Sequence, residues 1–215
     1  MKISLRHTIV LFMLLMVNLN AQTTYYVDAE RPDDDGDGSS WATAKQYLQS
    51  ALALAVDGDE IWVAAGTYYP DEGSGATDND RNSTFAIPSG VKVYGGFAGD
   101  ESTADDRENS DRDEDGIIQE WEFTNETIFS GDIDQNDDTD INDNAFTVVT
   151  FNDVSDETVL DGFTITAGNA NTGARTLGGG IYNKNGSPRI TNCTISGNNA
   201  NSYGGGMYNG SHYGD

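Results

Sequence analysis

The amino-acid sequence predicts an all-β fold, a parallel β-helix in which short strands stack as turns of a solenoid. The hexapeptide at 178–183 (GGGIYN) returns as GGGMYN at 204–209, 26 residues further on. Between the two copies, the segment 188–198 (PRITNCTISGN) has an earlier counterpart at 160–169 (LDGFTITAGN). Repeats of roughly 20–30 residues that combine strand-like runs with Gly/Asn turns, and that lack a helical period, indicate a β solenoid.

The first 21 residues have the pattern of a secretory signal peptide. Lys2, Arg6 and His7 give a positively charged start, nine apolar residues follow at 9–17, and Ala21 offers a small residue for cleavage. Nine residues are too few to span a membrane. The alternative is a buried N-terminal helix. The pattern favours export to the cell surface or the extracellular space, with no transmembrane segment in the mature chain.

Residues 24–66 are predicted to form an N-terminal cap. Thr24–Val27 reads as a first strand, and apolar residues at helical spacing predict one amphipathic capping helix over 44–55, with Ser39 or Ser40 as its N-cap. A strand is predicted again over 60–66. Solenoids need such a cap because an open end exposes unpaired strand edges.

Beyond the cap, the sequence alternates between short strands and acidic insertions. The predicted strands are 85–88, 91–97, 127–131, 146–151 and 158–160, and the polar or acidic insertions are 68–84, 100–122 and 132–144. The GGGIY-type repeats begin at 158. The chain stops at Asp215 without a visible closing element, which predicts that it is the N-terminal portion of a longer protein.

Charge and cysteine content restrict the possible partners. There are 36 acidic residues against 11 basic ones, a formal net charge of −25. Such a surface repels nucleic acid and anionic lipid, and it suits an extracellular protein that meets divalent cations. The single cysteine, Cys193, excludes an intrachain disulfide. It stands where Phe163 stands in the earlier copy, which favours an inward apolar role over a reactive thiol.

One segment carries a metal-binding pattern. Residues 111–122 (DRDEDGIIQEWE) fit the twelve-residue calcium loop D-x-D-x-D-G-x₅-E at every defined position. Gly116 permits the sharp turn, and Ile118 is expected to pack as a hydrophobic anchor. The alternative is a chance match in an Asp-rich chain. The predicted Ca²⁺ ligands are Asp111, Asp113, Asp115, the carbonyl of Ile117, Gln119 through water, and Glu122.

A second acidic segment is a weaker candidate for calcium. Residues 132–140 (DIDQNDDTD) also alternate oxygen-bearing side chains, but they lack the glycine and the closing glutamate. The acidic run 33–37 is weaker still. A single calcium loop inserted into a β fold predicts a structural site, because calcium sensors work through pairs of helices that open.

Several motifs together resemble a known group of proteins. The segments 59–68 (DEIWVAAGTY), 93–97 (VYGGF) and 160–165 (LDGFTI), followed by the Gly-Gly-Gly units, resemble bacterial pectin-lyase-like surface proteins whose repeats are similar to those of chlamydial polymorphic outer-membrane proteins. The resemblance implies a right-handed, single-stranded parallel β-helix over 22–215. It also implies a bacterial source and a role in adhesion or glycan binding, with an extracellular glycan or a host or cell-surface ligand as partner.

The same fold also serves enzymes, so an alternative function stays open. A polysaccharide lyase or glycoside hydrolase would need a basic residue or paired carboxylates near the scissile bond. The repeat region offers as cations only Arg175, Lys184 and Arg189, and Asp161 is its only acid in a strand-like stretch. No catalytic residue is predicted here, and the enzymatic alternative places its catalytic turns beyond Asp215.

Overall fold

The computed structural model describes residues 21–136, 140–173 and 176–210. The predicted signal peptide, apart from Ala21, lies outside these residues, as does Arg175. The strands in chain order are β1 (Thr24–Val27), β2 (Glu60–Ala64), β3 (Gly66–Tyr68), β4 (Phe85–Ala86), β5 (Lys92–Phe97), β6 (Thr127–Ser130), β7 (Val149–Asn152), β8 (Val159–Asp161), β9 (Thr164–Thr166), β10 (Asn169–Ala170), β11 (Ile181–Lys184), β12 (Arg189–Thr191), β13 (Thr194–Ile195), β14 (Asn199–Ala200) and β15 (Met207–Gly210).

These strands form four sheets. The largest has the order β1-β2-β5-β8-β12; two four-stranded sheets have the orders β3-β6-β9-β13 and β4-β7-β11-β15; a small one pairs β10 with β14. Every pairing between these strands is parallel. Within each sheet, a strand pairs with the strand that the chain last contributed to that sheet. Parallel neighbours of this kind require long connections, which the acidic insertions partly supply.

The predicted fold class, a single right-handed parallel β-helix, is therefore wrong. Parallel strands and an N-terminal helix are present, but the strands are divided among separate sheets of five, four, four and two strands, and no single solenoid runs through them. The physical reason lies in the repeat itself. It is regular only from 158 onward, whereas in the earlier part insertions of unequal length separate the strands and interrupt any common period.

The core is built from side chains that the strands direct inward. Phe129 is fully buried and stacks on Phe163, with ring centroids 4.2 Å apart, and it also contacts Phe85 at 4.6 Å. Ile165 and Ile181 are fully buried, while Cys193, Ile195 and Met207 are partly buried and pack against the same cluster. The inward role predicted for Cys193 is confirmed, and burial raises the pKa of its thiol to about 11.

The N-terminal helix is shorter than predicted. The α-helix α1 covers only Leu48–Leu52, and a separate 3₁₀ turn covers Trp41–Thr43, preceded by Ser40, whose side chain makes no capping hydrogen bond. The reason is a competing pairing: Lys45 forms a parallel bridge with Val27, and its N–H donates to the Tyr26 carbonyl at 2.9 Å. Helix α1 packs against β1, β2 and β4. Within the described residues, no helix has the length and apolar character needed to cross a membrane.

Candidate metal centre

The calcium-loop segment is closed at its base by a short antiparallel bridge. Asn109 and Phe123 form this bridge, and around it Ser110 N–H donates to the Glu122 carbonyl at 2.9 Å and Thr124 N–H to the Glu108 carbonyl at 2.8 Å. Phe123 is buried, with 6% of its surface exposed. The thirteen residues between, 110–122, therefore leave and rejoin the body of the protein at one place, as a metal-binding loop requires.

The structure brings three of the predicted ligands together. Carboxylate oxygens of Asp111, Asp113 and Asp115 lie within 4.8 Å of one another, a cluster that could hold a metal ion. The loop backbone fixes two of them: Gly116 N–H donates to Asp111 Oδ2 at 2.9 Å, and Ile117 N–H donates to Asp115 Oδ1 at 2.8 Å. Gly116 has φ of +87°, which only glycine adopts without strain.

The second carboxylate oxygen of Asp111 has incomplete contacts. Asp111 Oδ1 is buried and has no hydrogen-bond partner among the described residues. A buried carboxylate oxygen without a partner is unfavourable, because it has lost its water and gained nothing in exchange. Three carboxylates at this spacing also repel one another, by about 1 kcal/mol per pair even in water at ~4 Å. Both effects favour a cation at the centre.

Glu122 occupies a different position from the three aspartates. Its side chain is fully buried, Oε1 accepts the N–H groups of Arg112 at 2.9 Å and Asp113 at 3.1 Å, and Oε2 accepts that of Gln119 at 2.8 Å. Burial by itself raises the pKa of Glu122, but these three donors and the charge of Arg112 together lower it. In this structure, Glu122 thus anchors both ends of the loop and lies outside the three-aspartate cluster.

Of the remaining predicted positions, Gln119 is half-buried and the two isoleucines are exposed. Gln119 donates through Nε2 to Asp115 Oδ2 at 2.9 Å, so its side chain lies against the cluster. Ile117 is 63% exposed and Ile118 61% exposed. The expectation that Ile118 packs as a hydrophobic anchor is wrong, because the loop returns directly to the bridge at Phe123, and this ring takes the buried position instead.

Two arginines attach this insertion to the sheets. Arg107 donates through Nη1 to Asp161 Oδ1 at 2.7 Å and to the Gly95 carbonyl at 2.9 Å, and its guanidinium lies 4.6 Å from the centre of the Phe123 ring. Arg112, inside the loop, pairs with Glu126 at 2.6 Å. No sequence pattern predicts the Arg107–Asp161 pair, since its two residues are 54 positions apart.

The contacts of Asp161 explain this acid. Besides the Arg107 pair, its Oδ2 accepts hydrogen bonds from the Thr191 hydroxyl at 2.7 Å and from Asn192 Nδ2 at 2.8 Å. Asp161 is thus the point at which the insertion, β8 and β12 are joined. Arg189, the cation considered for catalysis, has an exposed side chain.

The second acidic segment brings together part of its predicted oxygen set. Asn136 N–H donates to Asp132 Oδ1 at 2.9 Å, and Asn136 Nδ2 donates to Asp134 and to Asp143. Burial and the neighbouring charge of Asp143 raise the pKa of Asp134. Asp143 is a residue that the sequence analysis did not single out. Residues 137–139 of this segment lie outside the described residues.

The run at 33–37 forms turns. Asp37 accepts hydrogen bonds from Ser39 and Thr43, which lower its pKa to about 2, and Asp34 Oδ1 accepts the Gln46 N–H at 2.9 Å. These contacts account for two of its carboxylates without a metal ion.

Comparison with known proteins adds no identification. No protein-family model, no curated protein and no solved structure matches this chain.

Proposed function

We propose that the protein is an exported, calcium-binding protein of the cell surface or the extracellular space that acts in adhesion or glycan binding. The observation that carries the proposal is the cluster of Asp111, Asp113 and Asp115 in a loop already closed at its base. Carboxylate oxygens are the ligands that Ca²⁺ prefers. The flexible shell of six to eight oxygens around Ca²⁺ suits this cluster better than the strict octahedron that Mg²⁺ requires.

The role of the ion follows from the way the loop is attached. The loop that carries the three aspartates is held at two points: Arg112 pairs with Glu126, and Glu122 accepts hydrogen bonds from the N–H groups of Arg112 and Gln119. Glu126 in turn accepts a hydrogen bond from the Thr164 hydroxyl of β9 at 2.7 Å. By neutralising the three aspartates, the bound ion therefore holds the acidic surface insertion in one arrangement on the sheets. In that arrangement the insertion can contact a ligand. Calcium here is structural and has no signalling role.

Thermal unfolding with and without calcium tests the metal site. At free Ca²⁺ about 100 times its Kd, binding only the folded state adds about 2.7 kcal/mol. For a chain of this size, that is a rise in Tm of roughly 5–10 °C. EDTA should remove the rise, and Asp113→Asn should make the Tm insensitive to calcium.

The control is Asp105→Asn, which changes the same charge at an exposed position in the same insertion but outside the loop. This variant should keep the full response to calcium. The calcium proposal is wrong if EDTA leaves the Tm of the wild-type chain unchanged, or if Asp105→Asn and Asp113→Asn respond alike.

The adhesive role needs a separate experiment. Immobilised extracellular polysaccharides, uronate polymers among them, should retain the calcium-loaded chain and release it on chelation, because the loop loses its fixed arrangement. The Asp113→Asn variant should not be retained. Equal retention with and without calcium would show that ligand binding does not depend on this loop. Depolymerisation of the polysaccharide would instead support the alternative, a lyase or hydrolase.

A further inference from the structure

The last four strands of the chain lie against the four strands that precede them. Strands β12, β13, β14 and β15 pair with β8, β9, β10 and β11 respectively. Within the described residues, each of these last four strands is the outermost strand of its sheet. Exposed strand edges of this kind bind other strands readily, so native proteins usually cover or protect them.

The apolar side chains at these edges are core residues with incomplete cover. In the strand register, Ile195 lies beside Ile165 and Met207 lies beside Ile181. Ile165 and Ile181 are fully buried, whereas Ile195 and Met207 are only partly buried. A further layer on the outer side would bury the remaining apolar surface, which is favourable.

Two rows of asparagine side chains also end at these edges. Asn183 is buried and donates through Nδ2 to Oδ1 of the exposed Asn209 at 2.9 Å. In the second row, the exposed Asn199 donates through Nδ2 to Oδ1 of the buried Asn169, also at 2.9 Å. Because each amide carries both a donor and an acceptor, the outer asparagines can continue these rows onto another strand.

Gly206 indicates what kind of group covers the edges. In the earlier copy of the motif, a Cβ on Gly180 would lie 2.5 Å from the Gly206 carbonyl oxygen, so the backbone of the last strands approaches this glycine closely. A Cβ on Gly206 would meet only the side chain of Ile195, at 3.3 Å, and Gly206 does not have a positive φ. The described contacts therefore do not require glycine at 206, but the close approach of another backbone would.

The opposite edges of two of the large sheets are covered by the chain itself. Helix α1 packs against β1, the first strand of the five-stranded sheet, and against β4, the first strand of a four-stranded sheet. Lys45 in addition pairs with Val27 at the end of β1. These edges are therefore not available to the last strands of another copy.

The charge of this region also differs from that of the rest of the chain. Residues 176–210 contain no acidic residue and two basic ones, Lys184 and Arg189, whereas the whole chain has a formal net charge of −25. Two copies that meet at the edges of β12–β15 therefore avoid bringing their acidic insertions face to face. Contact through most other surfaces would be opposed by like charge.

We propose that a second copy of the chain covers the edges of β12–β15, so that two copies associate end to end. Backbone N–H and C=O groups pair across the contact, and the partly buried apolar side chains lose their remaining exposure. The contact uses the same surface on both copies and is therefore closed, so association stops at the dimer. The proposal does not depend on calcium binding by loop 111–122.

Sedimentation velocity over a dilution series tests the association. We expect a species of twice the chain mass that dissociates on dilution and is favoured by added salt, because salt screens the repulsion between the acidic parts of the two copies. Asp113→Asn should dimerise as the wild type does, so failure of the calcium proposal is distinguished from failure of this one.

Two glycine variants test the predicted contact. Gly206→Ala should weaken dimerisation by about tenfold or more, because a methyl group there keeps the backbone of the second copy away. The Tm of the dilute, monomeric variant should stay that of the wild type. The matched control is Gly180→Ala, whose methyl group meets the Gly206 carbonyl within one chain and should lower the Tm of the monomer.

A third variant covers the case in which Gly206→Ala does not fold, as judged by circular dichroism. Asn209→Asp changes an exposed side chain whose carboxylate still accepts from Asn183, but it adds a negative charge to the contact from each copy and should abolish dimerisation. The proposal is overturned if the wild type is monomeric at every concentration or grows beyond the dimer. It is also overturned if either variant, once folded, dimerises as tightly as the wild type.

Discussion

The contact of Arg107 with Asp161 gives a quantitative prediction, because the insertion contains a second arginine–carboxylate pair for comparison. The side chains of Arg107 and Asp161 are only 14% and 9% exposed, whereas those of Arg112 and Glu126 are 31% and 35% exposed. Removing one partner of a buried pair leaves a charge without compensation and destabilises by about 3–5 kcal/mol. A partly exposed pair contributes about 0–1 kcal/mol.

We therefore expect Arg107→Met to lower the free energy of unfolding by about 3–5 kcal/mol. Methionine retains an apolar side chain against Phe123 but leaves Asp161 and the Gly95 carbonyl without their donor. Arg112→Met should lower the free energy of unfolding by no more than about 1 kcal/mol. Urea unfolding followed by tryptophan fluorescence, at saturating calcium, measures both values.

The double variant Arg107→Met/Asp161→Asn tests the cause. Asparagine has no charge to leave unpaired, and its amide oxygen still accepts from Thr191 and Asn192, so the double variant should be more stable than Arg107→Met alone. Two results would contradict an uncompensated Asp161 charge: similar losses of stability in Arg107→Met and Arg112→Met, or a further loss when Asp161→Asn is added to Arg107→Met.

Two further predictions concern the core. Phe129→Ala should lower the free energy of unfolding by about 3–5 kcal/mol in urea, because it removes the ring that stacks on Phe163 and contacts Phe85. As a control, Ile117→Ala at an exposed position should stay within about 0.5 kcal/mol of the wild type. Similar losses in the two variants would contradict the central position of Phe129 in the core. Burial raises the pKa of Cys193 to about 11, above about 8.5 for a free thiol, so the unfolded state loses this proton first. The free energy of unfolding of the wild type should therefore fall as the pH rises from ~9 to ~11. The fall should be steeper than in Cys193→Ala, by up to about 1.4 kcal/mol per pH unit. Equal slopes in the two proteins would show that the thiol is solvated.

Local patterns predicted many of the strands well. Thr24–Val27, Glu60–Ala64 and Thr127–Ser130 are rich in β-branched or aromatic residues, and the structure has strands there. The helix was predicted too long because helical spacing of apolar residues says nothing of a competing partner. The pairing of Lys45 with Val27 keeps this part of the segment extended.

The arrangement of strands and the attachment of the insertion to the sheets depend on contacts that the sequence does not display. The repeat after 158 suggested one continuous solenoid, but the division into four sheets depends on insertions without a period. Loop 111–122 was recognisable because its ligands are close in sequence. The Arg107–Asp161 pair was not, because it joins residues 54 positions apart.

The order of strands in the five-stranded sheet has a consequence for how the chain assembles as it emerges N-terminus first from a ribosome or an export channel. Each strand needs only earlier residues: Ile61 pairs with Tyr25, Val93 with Ile61, and Leu160 with Val93. Growth can thus be vectorial, without waiting for later residues. The step from β5 to β8 is the longest, since the insertions 100–122 and 132–144 must both emerge before Leu160 reaches its partner. The exposed edge of β5 therefore stays unpaired, and open to misassembly, for the longest time.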